Sequence, residues 1–454
     1  MTSTATRSNG LGHDNMRFVA GIRGDINDTW AYDGYLLHAQ NHSLDQYNND
    51  FNIRRMGYAL DVITGPDGQP MCREDSENGC VPWNIFQEGG VTQDALDYMY
   101  ADYVHAGRVL TQVANLTFTG DLENYGVQFG SASEGIGVAA GYEFRYEHLA
   151  NYPDEINRYG GATGQGGPVP KVDEGYKVNE IFVEALVPIV QNAKMFRDFS
   201  MELGYRYSDY STSGGFSTYK GLLNWAFTDS LRIRGGYNRA VRAPNVWDLF
   251  QPQRFNLGGQ ADICAGLDPS ATFAECQNTG MTQGQYGSEV TENPAGQYNT
   301  LVGGNPTLVP ETADTITAGV VWTPQNIPGL SVTVDYYNIS ITDAIGFLGP
   351  EDIIQQCASS GDPATCALIY RDRLGSLWLT PSIAGGAYTQ TTTANLDQLD
   401  AEGVDLSASY TVGLGNAGYL PITLQGTYAL ANTLTTPLVS YDCVGYFGYQ
   451  CLQS

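Results

Sequence analysis

The eight cysteines fall into four near neighbours: Cys72 with Cys80, Cys264 with Cys276, Cys357 with Cys366, and Cys443 with Cys451. A structural zinc site needs paired CxxC-type spacings, and the sequence has none. Loop-closure entropy favours bridges between the nearest mates. Four local disulfides are therefore expected, and with them an oxidising compartment, the periplasm or the cell exterior. Catalytic chemistry is poorly supplied. His38 and His42 stand four apart in "HAQNH", but a zinc protease needs Glu after the first His, on a helix. "GIGVAAG", from Gly135 to Gly141, fits a degenerate dinucleotide fingerprint without its strand-then-helix context, and reads as a Gly-rich strand. Glu74/Asp75 and Asp154/Glu155 are acidic pairs in loops, where solvation explains them. No Ser-His-Asp set or glycosidase-like carboxylate pair can be argued. No catalytic residue, metal site or cofactor is expected. Loop rings and amides could hold a sugar or another polar ligand: Trp83, Trp247, Phe255, Gln283, Tyr286 and Tyr298. For each of them, packing within its own loop is the competing role.

Period-2 segments recur from end to end, and they must position these residues. "EIFVEALVPI" sets Ile181 and Val183 against Glu180 and Glu184. "FSMELGYRYSDY" sets Leu203 against Glu202 and Arg206, and "TITAGVVW" sets Val320 against Thr317. Val332 alternates with Thr333, and Leu406 with Asp405. "LRIRGGYNRAVRAP" alternates Arg232 and Arg234 with Leu231 and Ile233, and Arg242 shares the arginine parity. Pro244 lacks a backbone N–H and should end the strand. In a soluble sandwich the apolar faces would meet in a core. In a membrane barrel they face lipid, and the polar faces line a wet lumen. Helical periodicity is scarce. Thr92–Val104 and Pro350–Ala358 read as short helices inside long connections.

Connections alternate in length. Short ones such as "INDT", "TDS" and "TPQNIPG" alternate with long ones at about 41–105, 151–174, 243–310 and 346–390, the transmembrane-barrel pattern. "PIVQNAKMFRD" reads as a somewhat longer member of the short set, and "STSGGF" as a tight turn in a long-loop position. Counting crossings puts all four cysteine pairs on the long-loop side. The long loops look too polar to bury a core of their own, so the bridges would compensate. About twelve strands are expected, antiparallel and all-β. A propeller would show a blade-length repeat, and none is visible. The formal net charge of −27 argues against nucleic acid, which needs a basic surface. No apolar run is long enough for a spanning helix.

Six stretches, in order along the chain, resemble one family. They are "GCVPWNIF" (Gly79 to Phe86), "RYSDY" (Arg206 to Tyr210), "NRAVRAPNVWDLF" (Asn238 to Phe250), "GNPTLVPETADT" (Gly304 to Thr315), "VDYYNISITDAI" (Val334 to Ile345) and "GVDLSASY" (Gly403 to Tyr410). Together they resemble the barrel of TonB-dependent outer-membrane receptors, the energised importers of Gram-negative bacteria. The resemblance implies a plugged barrel of about 22 strands, pulled open by the TonB energy-coupling complex acting on the plug. It implies contact with outer-membrane lipid and uptake of a scarce nutrient: a ferric siderophore, cobalamin or an oligosaccharide. Against that family the chain reads as an incomplete barrel, with no plug, signal segment or final strands. It also implies that Arg232, Arg234 and Arg242 face the lumen or the plug. The rival reading is a secreted or surface carbohydrate-binding β protein without transport.

Overall fold

Alternation of apolar and polar side chains builds one continuous antiparallel wall. The computed structural model describes residues 6–163, 167–258, 261–395, 398–448 and 451. Thirteen strands pair in strict chain order: β1 (Ser8–Asp25), β2 (Trp30–Phe51), β3 (Tyr100–Asp121), β4 (Gly137–Pro153), β5 (Val172–Ala193), β6 (Phe196–Tyr210), β7 (Gly214–Ala226), β8 (Leu231–Arg242), β9 (Glu311–Trp322), β10 (Leu330–Thr342), β11 (Gln398–Gly413), β12 (Tyr419–Thr435) and the short β13 (Ser440–Asp442). The sheet is not closed. β1 pairs only with β2, and β13 only with β12.

The register places every named apolar residue on one face. Ile233, Val320, Val334 and Leu406 are directly opposed across four neighbouring strands. Ile181, Val183 and Leu203 lie on that face in the preceding strands, and Val332 lies on it opposite Trp322. Nothing in the described chain covers them. Ile181 is 57% exposed and Val334 is 41% exposed. Trp225, Trp322 and Tyr410 border this band toward the short turns, and Tyr205, Tyr237, Tyr336 and Tyr428 border it toward the long connections. An uncovered apolar band between two aromatic rows is the pattern expected of the outer face of a membrane β-barrel wall.

Four features of the ends differ from expectation. The Pro188 segment is strand, not connection. The register shifts between Pro188 and Val190, so a bulge absorbs the missing N–H, and β5 continues to a tight turn at Lys194–Met195. Met195 there takes a positive φ of 64°. β2 likewise runs to Phe51, beyond the Asn41 limit, past an irregularity at Asn49 (φ 58°). At the short-turn end, the β3–β4 connection spans residues 122–136, longer than its neighbours. The helix expected over 92–104 is confined to Gln93–Met99. Tyr100 starts β3, because its segment pairs with β2.

All four expected disulfides are present, with Cα–Cα distances of 6.2, 5.5, 4.9 and 5.4 Å. All lie at the end opposite the short turns. The expectation that the long connections lack a core is overturned. The 52–99 connection buries Ala59, Leu96 and Met99 between the helices Ile53–Leu60 and Gln93–Met99. The two longest connections combine to bury Tyr298, Ile353, Ile354, Cys357, Ile369 and Leu377. With cores present, the bridges secure folded modules and not loose loops. The sequence separations of 8–12 residues put each contribution somewhat under about 3 kcal/mol. Reduction is expected to raise hydrogen exchange in the modules while β1–β12 stay protected. Equal loss of protection in wall and modules would refute that division.

Candidate functional site

The two longest connections, 243–310 and 343–397, fold as one module above strands β8–β11. Pro244 follows the end of β8, and Asn245 then caps a short helix, Val246–Phe250, through a reciprocal box with Asp248. Beyond it, Arg254–Gly258 pairs with Tyr298–Val302. The strand Tyr388–Gln390, from the other connection, joins in parallel, and Ile369–Tyr370 completes a four-stranded sheet. Phe255 meets Tyr388 edge-on and Tyr388 stacks on Tyr370, with ring centroids 5.4 and 4.5 Å apart. The helix Pro350–Ser360 packs Ile353 and Ile354 into the shared core.

A cavity of about 860 Å³ opens between this sheet and the start of that helix. That volume suits a small ligand. Leu257, Val302 and Phe347 supply apolar wall, and Arg254, Asn256 and Thr300 present a polar row. Register explains the row: Arg254 and Asn256 lie opposite Val302 and Thr300 on one face of the small sheet. Glu351 and Asp352, in the first turn of the helix, line another wall. Burial pushes the Asp352 carboxyl above its ordinary range, and Glu351 beside it adds to the shift. Burial alone pulls the Arg254 guanidinium below its ordinary value.

The aromatic candidates do not converge. Tyr298 is core. Trp83 packs against the helical core of the 52–99 connection. Tyr286 donates its hydroxyl to the Ala271 carbonyl at 2.8 Å and packs near the Cys264–Cys276 bridge. Phe255 lies on the sheet face opposite Arg254, and Trp247, 37% exposed, is not in the cavity lining. Arg254 and Asp352, which do line it, were not singled out from sequence. Arg254's place in the alternation of "RFNLG" is the signal that could have found it.

The strand arginines sit on the polar face and are engaged within the wall. Arg234 forks onto Asp335 at 2.9 and 2.6 Å, and Arg242 onto Glu311 at 2.5 and 2.6 Å. Arg232 donates to Asn224 at 3.4 Å. Arg239, on the apolar face, forks onto Asp314, which also accepts from Tyr237.

In the 52–99 module, Tyr98 donates its hydroxyl to Asp75, and Asn78 adds a second donor to the same carboxylate. These hydrogen bonds hold Asp75 below the ordinary carboxylate range, and burial, together with the bond to Asp75, pushes the Tyr98 hydroxyl up to about 12. A carboxyl whose folded pKa is depressed contributes stability above its unfolded pKa. That stability is lost as pH falls through the folded pKa. The module is expected to open in acid below the usual Asp range, and Tyr98→Phe should move that opening to higher pH. Proteolysis of residues 52–99 against pH measures it, and identical profiles would remove Tyr98 from the account.

The family model "TonB dependent receptor-like, beta-barrel" matches residues 2–446. The chain belongs to this family. Among solved structures, this TonB-dependent receptor barrel is similar to the siderophore receptor PirA from Pseudomonas aeruginosa: 12% identity, 92% of this chain and 58% of that one, TM-score 0.42. It is also similar to the ferric enterobactin receptor PfeA of the same organism, at 12% identity, 93% and 62% coverage and TM-score 0.39. The RagAB peptide transporter matches at 10% identity, 95% and 37% coverage and TM-score 0.49. The TonB-dependent receptor barrel described here thus spans about three fifths of the first two receptors. No curated protein matches it.

Proposed function

We propose that the chain forms barrel wall and outer loops of a Gram-negative outer-membrane receptor that imports a scarce nutrient. Energy comes from the inner-membrane TonB complex acting through a plug, and the chain is not an enzyme. The observation that carries this reading is the wall itself: one uncovered apolar face bordered by aromatics, and one polar face rich in paired charges. In this reading Ile181, Val183, Leu203, Val320, Val332 and Leu406 meet lipid. Arg232, Arg234 and Arg242 face the lumen, where carboxylates and water solvate them. The disulfide-bearing modules stand outside the cell and bind the nutrient: a ferric siderophore, cobalamin, an oligosaccharide or another small molecule. Open strand edges are not tolerated in lipid, so β1 and β13 need partner strands before the wall can stand, and this stretch alone does not transport.

The test is fractionation of a Gram-negative host expressing the protein. It should enter the outer-membrane fraction and need detergent for extraction. After reduction in enough denaturant to open the modules, where Cys72, Cys264, Cys276 and Cys357 are buried, a membrane-impermeant maleimide should label all eight cysteines from outside. Recovery in the aqueous fraction without detergent would favour the secreted carbohydrate-binding protein instead.

A further inference from the structure

The geometry points to a pocket between the two longest connections that binds a small molecule bearing an anionic and a cationic group at separate ends, the chemistry of a short unblocked peptide. This rests on the uptake reading above and names a cargo class for it.

The charges of the cavity carry the inference. The chain has 49 acidic and 22 basic residues, so carboxylates are plentiful, and what sets one arginine apart is lining a cavity while half-buried and without one. Arg234, Arg239, Arg242 and Arg371 each find one. Among the described residues, the Arg254 side chain makes no hydrogen bond and no ion pair, although it is half-buried in the cavity wall. Asp352 is the opposite charge, a partly buried carboxylate that makes no ion pair among the described residues and whose charge reaches the Tyr441 hydroxyl. The two do not neutralise each other. No ion pair or hydrogen bond joins Arg254 to Asp352 or Glu351, and Glu351 accepts instead from the Ala261 N–H at 3.1 Å. The cavity is therefore dipolar, with a cationic wall and an acidic wall held apart.

Each unpaired charge costs free energy that a matching ligand group recovers. A neutral sugar leaves both unpaired. A purely anionic ferric complex satisfies Arg254 and meets repulsion from Asp352 and Glu351. A molecule with a carboxylate at one end and an ammonium at the other satisfies both. Asn256, on the Arg254 face of the sheet, offers a side-chain amide to the peptide groups of such a molecule, and the Thr300 hydroxyl, which donates to the Asn256 carbonyl, can still accept. Leu257, Val302 and Phe347 accommodate apolar side chains without selecting among them.

Calorimetry on the full chain in detergent tests this with three probes: trialanine, its N-acetyl form and its C-terminal amide. Trialanine should bind, and either block should weaken it about tenfold or more. Arg254→Gln should erase the preference for the free acid over the amide and leave the preference for the free amine. Asp352→Asn should do the reverse. Arg254→Lys, which keeps the charge, should retain acid selectivity, so a general folding defect is distinguishable. The proposal is overturned if the three probes bind alike, if none binds, or if both variants keep wild-type selectivity. Should these fail while detergent dependence and outside labelling hold, the uptake reading stands and only the cargo class falls.

Discussion

Replacing Arg371 with methionine should open the module made by the two longest connections, at a cost of about 3–5 kcal/mol. Arg371 and Asp262 are only 3% and 0% exposed, and the guanidinium meets both carboxylate oxygens, at 2.6 and 3.0 Å. It also donates to the Thr279 hydroxyl and the Gly375 carbonyl, each at 3.0 Å. Asp262 belongs to the first connection and Arg371 to the second, so the pair ties one to the other. Ile263, next to Asp262, packs into two core clusters. Removing the cation leaves a buried carboxylate with the Cys264 N–H as its remaining donor. Burying an unpaired charge costs more than the pair itself gains, so Arg371→Met with Asp262→Asn should recover much of the loss. Hydrogen exchange across 261–302 and 350–390 would read the opening. A double variant as open as the single one would contradict the charge argument and assign the loss to packing.

The wall was legible because a half-buried strand has a period of two, and the same period fixes register. Once Val334 is assigned to the apolar face, Val320 and Leu406 follow from pairing alone. Pro188 misled because proline normally ends a ladder, and a bulge is invisible in sequence until the partner strand is known. The module cores were hidden for a different reason. Ile353, Ile354 and Leu377 lie in one connection and Tyr298 in the other, and neither shows enough apolar residues to announce a core. The core exists only where Tyr388–Gln390 joins Tyr298–Val302 in parallel, a contact between segments about ninety positions apart that no local pattern encodes. The site followed the core out of reach. Of its aromatic candidates, Tyr298 went into that core, Trp83 and Tyr286 into two other clusters, and Trp247 stayed exposed away from the cavity, while the charges lining the cavity become notable only when their partners can be looked for.

Arginine in place of Val334 should cost about 2–4 kcal/mol in a lipid-embedded wall, and arginine at the adjacent Thr333 should cost little. Val334 lies midway in the apolar band: Tyr410, on the neighbouring strand, borders it toward the short turns, and Tyr336 and Tyr428 border it toward the long connections. Its direct neighbours, Val320 and Leu406, offer no acceptor. A guanidinium there lies between the two aromatic rows, one alternation from Tyr336 and from the level of Trp322, and must reach past them, thin the bilayer or drag water to it. Thr333 points the other way. It sits opposite Val321 and Ser407, and Asp335 and Asp405 follow one alternation along the same face. An arginine on that side gains carboxylates within reach and stays in water. Paired folding titrations into lipid vesicles, with strands supplied to pair the free edges of β1 and β13, measure both variants. Together they test the face assignment more sharply than either alone, because adjacent positions share secondary structure, strand and depth and differ only in which way they point. A soluble β protein whose apolar face merely awaits a partner would show no such dependence on lipid, and equal costs at the two positions would refute a one-sided lipid contact.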